Sequence, residues 1–558
     1  MSAAALRRAL FIGFLAGMAA WHLSLVGLVP AFAERRLIGD VVTFSSVLLV
    51  ALVAVATYLT ARRYQGAVRR VLYGLVSALT TALLLVLLAV VVTEFNLRQI
   101  FLNATPELAR TLTFGAGPTV NGLLRVLGIA VLTGLLTGGV GALPAPWGRI
   151  LVFTTLTTLL FGLLRDVLAP VLPSALTSFL YGSSGLSYPG SVVLFAVFLA
   201  LFVLRWTVGG RTTSSTVLST ISPGVRRPLA TGLLLALFAS IPLWAGLFLT
   251  NVVDFVGFYI LMGLGLNLVL GFAGLLDLGY VAFFAVGAYT MAVLTSPEIA
   301  PGGYILDFWL ALPIAVIATI CAGLLVGLPV LRMRGDYLAI ATLGFGEIVR
   351  LLVLSDWLKP YLGGAQGVTR IGRPHLGSLR VDSPQEFYFL ILLSCLLAWF
   401  LSVRLRDSRL GRAWFAIRED EHVAQAMGIN RVTAKLTAFA IGASFGGLSG
   451  ALFASLVGSV VPASFSLLVS INVVALLVLG GMGSLPGVLV GALALVGIPE
   501  LLREFQEYRL LLYGMVLIAM MLFRPAGLLP ERIHRVELEE AVEESREVTP
   551  AELATGQD

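Results

Sequence analysis

Long stretches without a charged residue dominate this chain and restrict it to a helical membrane fold. Many windows of about 17 to 25 residues are apolar throughout, and as α-helices they would cross the roughly 30 Å hydrocarbon core of a bilayer. Barrel strands would be shorter and would alternate polar with apolar residues. Hydrophobic residues make up 58% of the sequence and charged residues 12%, about half the charged fraction of a globular domain. We therefore predict an all-α, polytopic transmembrane bundle in the lipid bilayer, with about 14 to 16 membrane segments.

The arginines indicate orientation and not nucleic-acid binding, although the formal net charge is +7. They cluster at the ends of apolar stretches, as the positive-inside rule requires. The apolar run after Arg7 and Arg8 is longer than the core of a usual signal peptide, so we predict a retained first helix. Six spans are predicted in the first part, near 9–32, 41–60, 71–93, 122–143, 149–172 and 190–205.

The second part of the sequence is predicted to hold a separate helical core. Seven spans are predicted near 229–250, 255–275, 278–296, 308–330, 337–356, 387–403 and 434–457, with Asn251 to Asp254 in an outer loop. The glycine-rich stretch Gly480 to Gly487 interrupts the next apolar run and predicts a broken or re-entrant pair, since irregular backbone at membrane depth must be buried in protein. A final span near 509–523 then places both termini in the cytoplasm.

These features divide the chain into four parts. Residues 1–204 form an N-terminal membrane extension of six predicted helices, and residues 205–228, rich in Ser, Thr and Gly, form a polar cytoplasmic linker. Residues 229–530 form the core. The acidic tail 531–558 lacks aromatic residues, and we expect it to be disordered. The protein is predicted to be a multi-pass protein of the plasma (inner) membrane.

One stretch between two spans, Gly411 to Ile429, is unusually polar and reads GRAWFAIREDEHVAQAMGI. Asp420 and Glu421 are acids suited to the first turn of a short helix, and Gly428 suits the position just after a helix end. Trp414 and Ile417, three residues apart, fall on one face of the turns before it. Because so short an amphipathic helix is marginal in water, we predict that it docks on a soluble partner at the cytoplasmic side.

Motifs for catalysis are nearly absent. The two lysines, Lys359 and Lys435, do not follow a glycine, so the chain has no Walker A phosphate loop and is predicted not to hydrolyse ATP. HExxH and CxxC motifs are also missing, and the four histidines are scattered, so we predict no metal site, no cofactor and no enzyme activity in this chain. A GxSxG match begins at Gly442, but it lies in a predicted helix. A stripe of small residues explains it better as a helix-packing surface: Gly442, Gly446, Gly450 and Ala454.

Polar side chains inside the spans are costly in hydrocarbon and need partners or a water-filled path. The sequence leaves two alternatives for them, a structural pair or a role in a translocation path. Glu347 and Arg350 lie three residues apart on one helical face and could neutralise each other. The candidates for a translocation path are Asn267, Asp277, Glu347 and Asn472.

Several ordered blocks resemble one family, the LivM-type permeases, which are membrane subunits of ABC importers for branched-chain amino acids. The blocks lie within Leu229 to Pro530. They are GLNLVLGFAGLLDLGYVAFFAVGAY, LRMRGDYLAIATLGFGEIVRLL, GRAWFAIREDEHVAQAMGI, LGGMGSLPGVLVGA and MLFRPAGLLP. The resemblance implies import of branched-chain or related amino acids by alternating access, with ATP bound by partner subunits. Permeases for urea, short amides or another small polar solute are similar and remain an alternative, as does a stand-alone secondary transporter.

The resemblance also implies partners and a contact surface. The partners are cytoplasmic ABC ATPase subunits, a second homologous permease subunit and an extracytoplasmic substrate-binding protein. The general importer motif, Glu-Ala-Ala followed after three residues by Gly, ends on Gly428, which leaves His422 and Val423 at its first two positions. The coupling helix that would contact the ATPase comprises Arg412, Ile417, Arg418, Glu419, Asp420, Glu421, Ala424, Met427 and Gly428.

Overall fold

The structure is a computed structural model that separates into two compact units, Met1–Ala230 and Thr231–Asp558. The predicted tail, most of the predicted linker and most of the predicted final span lie outside the described residues. These are 3–64, 66–95, 97–143, 145–169, 172–182, 185–209, 236, 238–299, 305–330, 333, 336–376, 379–501, 514, 518, 522 and 527–530.

The first unit is helical, and each of its six predicted spans forms a helix. Short helices and one antiparallel pair of strands, Arg36–Ile38 and Val42–Thr43, connect the long ones. The short helices are Leu28–Ala31, Leu97–Gln99, Pro106–Leu112, Arg165–Leu168 and Ser174–Leu180. The long helices are Ala3–Leu25, Phe44–Ala61, Ala67–Glu94, Val120–Ala142, Ala145–Leu163 and Tyr188–Gly209.

The helix Ala67–Glu94 shows how the first unit packs. Ala78, Leu85 and Ala89 are buried on one face at helical spacing, whereas Leu83 and Leu87 are exposed on the other. Two apolar faces are expected of a helix that packs against protein on one side and lipid on the other. The first unit therefore has its own hydrophobic core and an apolar outer surface.

The second unit contains the helices from Gly246 onwards. Two of them continue as π-helices, Asn267–Phe272 and Leu493–Gly497. The α-helices are Gly246–Leu266, Val281–Thr295, Phe308–Val330, Asp336–Leu354, Lys359–Leu362, Pro384–Arg406, Arg409–Glu419, Glu421–Ala426, Arg431–Val457, Leu467–Gly480, Leu485–Ala492 and Ile498–Leu501.

The described part of the chain confirms an all-α, polytopic membrane fold. Across its described residues, nine helices are long and apolar enough to cross a membrane. The pair Leu467–Gly480 and Leu485–Glu500 is bent by 119°, so the predicted interruption at Gly480 to Gly487 is confirmed. Three shorter apolar helices, Trp147–Leu163, Tyr188–Leu204 and Val281–Thr295, add to these.

The predicted outer loop at Asn251 to Asp254 is wrong. These residues lie inside the helix Gly246–Leu266, and Asp254 is fully buried. The interruption between helices lies earlier, at Gly246, whose φ of +69° is readily adopted only by glycine. One carboxyl and one amide do not end a helix in so apolar a segment, because their side chains leave the backbone hydrogen bonds of the helix intact. Asn251 is exposed, whereas Asp254 is covered by the surrounding protein.

Short strands lie at one end of the second unit, and the polar stretch lies at the other. The helix Arg431–Val457 begins beside the polar stretch and ends just before the strand Ser459–Val460, which pairs with Val368–Thr369. A second hairpin pairs His375–Leu376 with Leu379–Arg380. We call the end with the polar stretch the polar end and the other the strand end.

Glycines allow the helix Arg431–Val457 to approach its neighbours closely. A Cβ added to Gly442 would lie 2.5 Å from a methyl of Val269, and one added to Gly446 would lie 3.2 Å from Phe283. At Gly450 it would lie 2.0 Å from the carbonyl oxygen of Phe284. Ala454, the last member of the predicted stripe, is fully buried.

We predict that Gly450→Ala lowers the free energy of unfolding by about 1–3 kcal/mol, because the methyl overlaps a backbone carbonyl that cannot move freely. Gly344→Ala is the matched control, since Gly344 is also helical and has nothing within 4 Å of an added Cβ. It should be neutral or stabilising by up to about 1 kcal/mol. Thermal denaturation of the purified chain in detergent measures both, and equal midpoints would show that the contact at Gly450 is not tight.

Candidate functional site

The polar stretch folds into two short helices, Arg409–Glu419 and Glu421–Ala426, which we call the polar helix pair. Asp420 separates them with an extended backbone, and its Oδ1 accepts hydrogen bonds from the amides of Val423 at 3.0 Å and His422 at 2.7 Å. The hydrogen bond from Val423, followed by that from His422, lowers the pKa of Asp420 from its ordinary value of 3.8. The carboxylate is therefore charged at neutral pH and caps the second helix.

The second helix ends in a Schellman motif. Gly428 has φ +86°, and its amide donates to the carbonyl of Gln425 at 3.0 Å. The amide of Ile429 donates to the carbonyl of Ala424 at 3.1 Å. This is the pattern of a helix closed by a left-handed residue, so the predicted role of Gly428 is confirmed.

The inner face of the polar helix pair packs on the chain's own helices. Trp414 is fully buried, and its Nε1 donates to the carbonyl of Ala434 at 2.8 Å. Ile417 and Ala424 are also buried, so the predicted common face of Trp414 and Ile417 is confirmed. Much of the amphipathic character of this stretch is thus satisfied without a partner.

An ion pair fixes the second helix to the helix that follows. The Nζ of Lys435 lies 2.9 Å from Oε1 of Glu421, and the side chain of Lys435 is only 4% exposed. Arg431 also approaches this carboxylate, at 3.6 Å. Glu421, which the resemblance assigned to a partner contact, therefore faces inward.

The outer face keeps a small apolar surface. Met427 is 80% exposed and Val423 is 59% exposed, and their spacing of four residues aligns them along the outer side. Arg412, Glu419 and Gly428 are exposed as well. Sequence reasoning did not assign Val423 to the contact surface, although its spacing from Met427 is a signal that could have done so.

The polar helix pair also contacts the first break in the membrane helices, at residues 273–280. The Nη1 of Arg418 donates to the carbonyl of Gly271 at 2.6 Å. Gly271 belongs to the π-helix that leads into this break. The rings of Phe415 and Phe272 lie 5.0 Å apart. The predicted coupling residue Arg418 is thus bonded to the backbone of the membrane bundle.

A second contact joins the two breaks. Asn267 is fully buried, and its Oδ1 accepts from the amide of Gly483 at 2.9 Å. Gly483 lies in the turn between the bent helices. A Cβ on Gly271 would lie 2.1 Å from this Oδ1, so glycine is needed there. Asn267 therefore holds the turn of the bent pair against the π-helix.

Asp277 lies in the first break and bonds to the backbone there. Its Oδ1 accepts from the amide of Gly279 at 2.9 Å, while the amide of Leu278 donates to Thr342 at 3.1 Å. The Nδ2 of Asn267 and the Oδ2 of Asp277 are buried without a hydrogen-bond partner among the described residues. Both residues therefore hold the backbone at or next to the break with one side-chain atom, while their second polar atom could take part in a further hydrogen bond.

The other two candidates for a translocation path lie elsewhere. Glu347 accepts from Nε of Arg350 at 3.0 Å, so their predicted mutual neutralisation is confirmed. Asn472 lines a cavity of about 210 Å³ inside the second unit. The described lining consists of Phe255, Phe258, Tyr259, Met262, Phe284, Phe453, Ser464, Val469, Asn472, Val496 and Glu500.

Sequence reasoning missed one buried acid, Asp254, and one half-buried acid, Glu500. Asp254 is buried on the helix Gly246–Leu266, and neither of its oxygens has a hydrogen-bond partner in the described ranges. Glu500 lies on the cavity wall. An acidic residue inside an apolar segment is costly in a membrane, and this was the sequence signal that could have identified both residues as candidates. Within the described ranges, no group of three or more His, Cys, Asp or Glu could hold a metal ion.

Membrane-length helices with two buried breaks, an internal cavity and a capped polar helix pair define a multi-pass transport protein. Residues 248–523 match the family of branched-chain amino acid transport system permease components. The chain belongs to this family. No solved structure matches the chain significantly.

Similarity to individual permeases covers about half of the chain. The high-affinity branched-chain amino acid transport permease protein LivM of Escherichia coli (strain K12) is 45% identical over 295 residues, which are 49% of this chain and 68% of that protein. LivM of Salmonella typhimurium is 44% identical over 295 residues, which are again 49% of this chain and 68% of that protein. LivH of Salmonella typhimurium is 26% identical over 289 residues, 49% of this chain and 91% of that protein.

We predict that Glu421→Gln lowers the free energy of unfolding by about 1–3 kcal/mol, because it leaves the buried ammonium of Lys435 without its charged partner. The double variant Glu421→Gln with Lys435→Met should recover most of the loss, since it removes both charges. Chemical denaturation of both single variants, Glu421→Gln and Lys435→Met, of the double variant and of the parent chain measures the coupling between the two positions. Additive losses would contradict an energetically important pair.

Proposed function

We propose that this chain is the membrane subunit of an ABC importer that moves branched-chain or related amino acids into the cytoplasm. The observation that carries the proposal is the polar helix pair, which is anchored inside the bundle and presents Val423 and Met427 outward. Membership of the permease family supports the same function. ATP is bound and hydrolysed by separate subunits, and the chain itself is not an enzyme.

The polar end is assigned to the cytoplasm of a plasma (inner) membrane, with both termini on that side. Arginines concentrate around the polar helix pair, as the positive-inside rule expects of a cytoplasmic loop. The strand end then faces outward and would receive substrate from an extracytoplasmic binding protein. Similarity to both LivM and LivH supports a second, homologous permease as partner.

The polar helix pair couples the ATPase to the membrane helices. Val423 and Met427 enter a cleft of the ATPase, with Arg412, Glu419 and Asp420 at its edge. Movement of the pair passes through the bond from Arg418 to Gly271. Ile417, Ala424 and Glu421 act from the inner face, where they keep the pair rigid against the bundle, and Gly428 ends the second helix.

The two breaks convert this movement into alternating access. The bond between Asn267 and Gly483 links the π-helix to the bent pair, so a shift of one displaces the other. Asn267, Asp277 and Asn472 belong to the moving region and line or border the translocation path. Glu347 is neutralised by Arg350 and serves this path only as a local ion pair.

Reconstitution tests the function. In proteoliposomes that contain this chain with its partner permease, ATPase subunits and binding protein, we expect leucine to accumulate when ATP is supplied. Omission of the ATPase subunits should abolish accumulation, because the chain has no energy source of its own. Accumulation without them would instead establish a secondary transporter, and preferential uptake of urea or acetamide would establish the other alternative.

A charge on the outer face tests the docking surface. Val423→Arg and Met427→Arg should each reduce ATPase association more than about tenfold, because an apolar anchor is replaced by a charge that must lose its water. Val461→Arg is the control, since Val461 is 38% exposed and lies at the strand end. Co-purification with the ATPase measures all three, and undiminished binding of Met427→Arg would refute the proposed contact.

A further inference from the structure

The cavity lies in the half of the second unit nearer the strand end. Phe255 precedes Gly271, which touches the polar helix pair, by 16 residues, or about 24 Å along a helix. Phe453 lies one turn from the end of Arg431–Val457, and Ser464 follows the strand Ser459–Val460. The walls of the cavity come from the helices Gly246–Leu266, Val281–Thr295 and Arg431–Val457 and from both arms of the bent pair.

Aromatic rings form much of the apolar part of the wall. Phe453 is at the centre of the cluster, with ring centroids 6.3 Å from Phe255, 5.7 Å from Phe258 and 5.2 Å from Phe284. Met262, Val469 and Val496 complete the apolar surface. Such a wall favours a branched or linear hydrocarbon group, because apolar area leaves water on binding.

Polar groups form the rest of the wall. They are the hydroxyls of Tyr259 and Ser464, the amide of Asn472 and the carboxylate of Glu500, and the described lining has no Lys, Arg or His. Asn472 can donate and accept, Ser464 can donate, and an ionised Glu500 only accepts. This set offers an acidic acceptor to an ammonium group and neutral donors to a carboxylate.

The size of the cavity limits the occupant. Its volume of about 210 Å³ is below the roughly 300–1,000 Å³ of pockets for drug-sized ligands. A small solute with one apolar group and one zwitterionic head satisfies both the aromatic wall and the polar groups. A second charge on the side chain would lie among the rings without a counter-charge, which is strongly unfavourable.

We infer that this cavity is the transit site for an aliphatic amino acid zwitterion. This inference rests on the proposed function and adds the residues that recognise the substrate inside the membrane. The hydrocarbon group lies among Phe255, Phe453 and Val469, the ammonium group binds Glu500, and the carboxylate accepts hydrogen bonds from Asn472 and Ser464. Urea and short amides lack the hydrocarbon group that the wall requires.

A bulky substitution inside the cavity tests the assignment. Val469→Trp fills the space, whereas the neighbouring Leu468→Trp adds the same ring at a side chain that is 46% exposed. In the complete reconstituted importer, Val469→Trp should lower leucine uptake at least tenfold with ATPase association intact, and Leu468→Trp should stay within twofold of the parent. Normal uptake by Val469→Trp would overturn the inference.

A labelling experiment keeps the test decisive if Val469→Trp does not assemble. In the same importer, with Cys321 and Cys395 replaced by serine, Val496→Cys on the cavity wall should react with a small thiol reagent, and leucine delivered by the binding protein should slow the reaction several-fold. Unchanged labelling with leucine present would also overturn the inference. Because leucine uptake by the parent importer is measured alongside, failure of the proposed function itself would be seen separately.

Discussion

Satisfaction of backbone polar groups inside the bundle is the constraint on which the second unit depends. Hydrocarbon offers no hydrogen bonds, so helix breaks at membrane depth are stable only where protein supplies them. Here, side chains supply them: Asn267 accepts from the backbone at Gly483, Thr342 from Leu278, and Ser470 from Val281. The bond between Asn267 and Gly483 ties the two breaks to each other, and the separate bond from Arg418 to Gly271 ties them to the polar helix pair.

In the function that we propose, the two faces of the polar helix pair serve the bundle and a partner. Its inner face, with Trp414 and the Glu421–Lys435 ion pair, resembles a small protein core. Its outer face is short and contains Val423 and Met427. Because the inner face is rigidly attached, force applied to the outer face reaches the membrane helices without being lost in a flexible loop. Rigid attachment is the property that a coupling element requires.

Much of this architecture could be predicted from local sequence signals. The lengths of the apolar segments predicted the helices, and Gly428 predicted the end of the second short helix. The glycine-rich turn predicted the bent pair. The surroundings of Asp254 and Glu421 could not be predicted from the sequence. An acid has the same chemical identity whether it faces water, lipid or a buried lysine, and only packing decides which of these surrounds it. The resemblance assigned Glu421 to a partner, whereas Lys435 takes its carboxylate.

The sequence by itself determined that the chain is a helical membrane protein, and its ordered blocks pointed to the permease family. These conclusions follow from hydrophobic length and from residue order, which are local properties. Tertiary structure alone decided which polar groups meet, such as Arg418 with Gly271 and Asn267 with Gly483. It also decided that an aromatic cavity forms around Phe453. These residues are far apart in sequence, and only the packing of several helices brings them together.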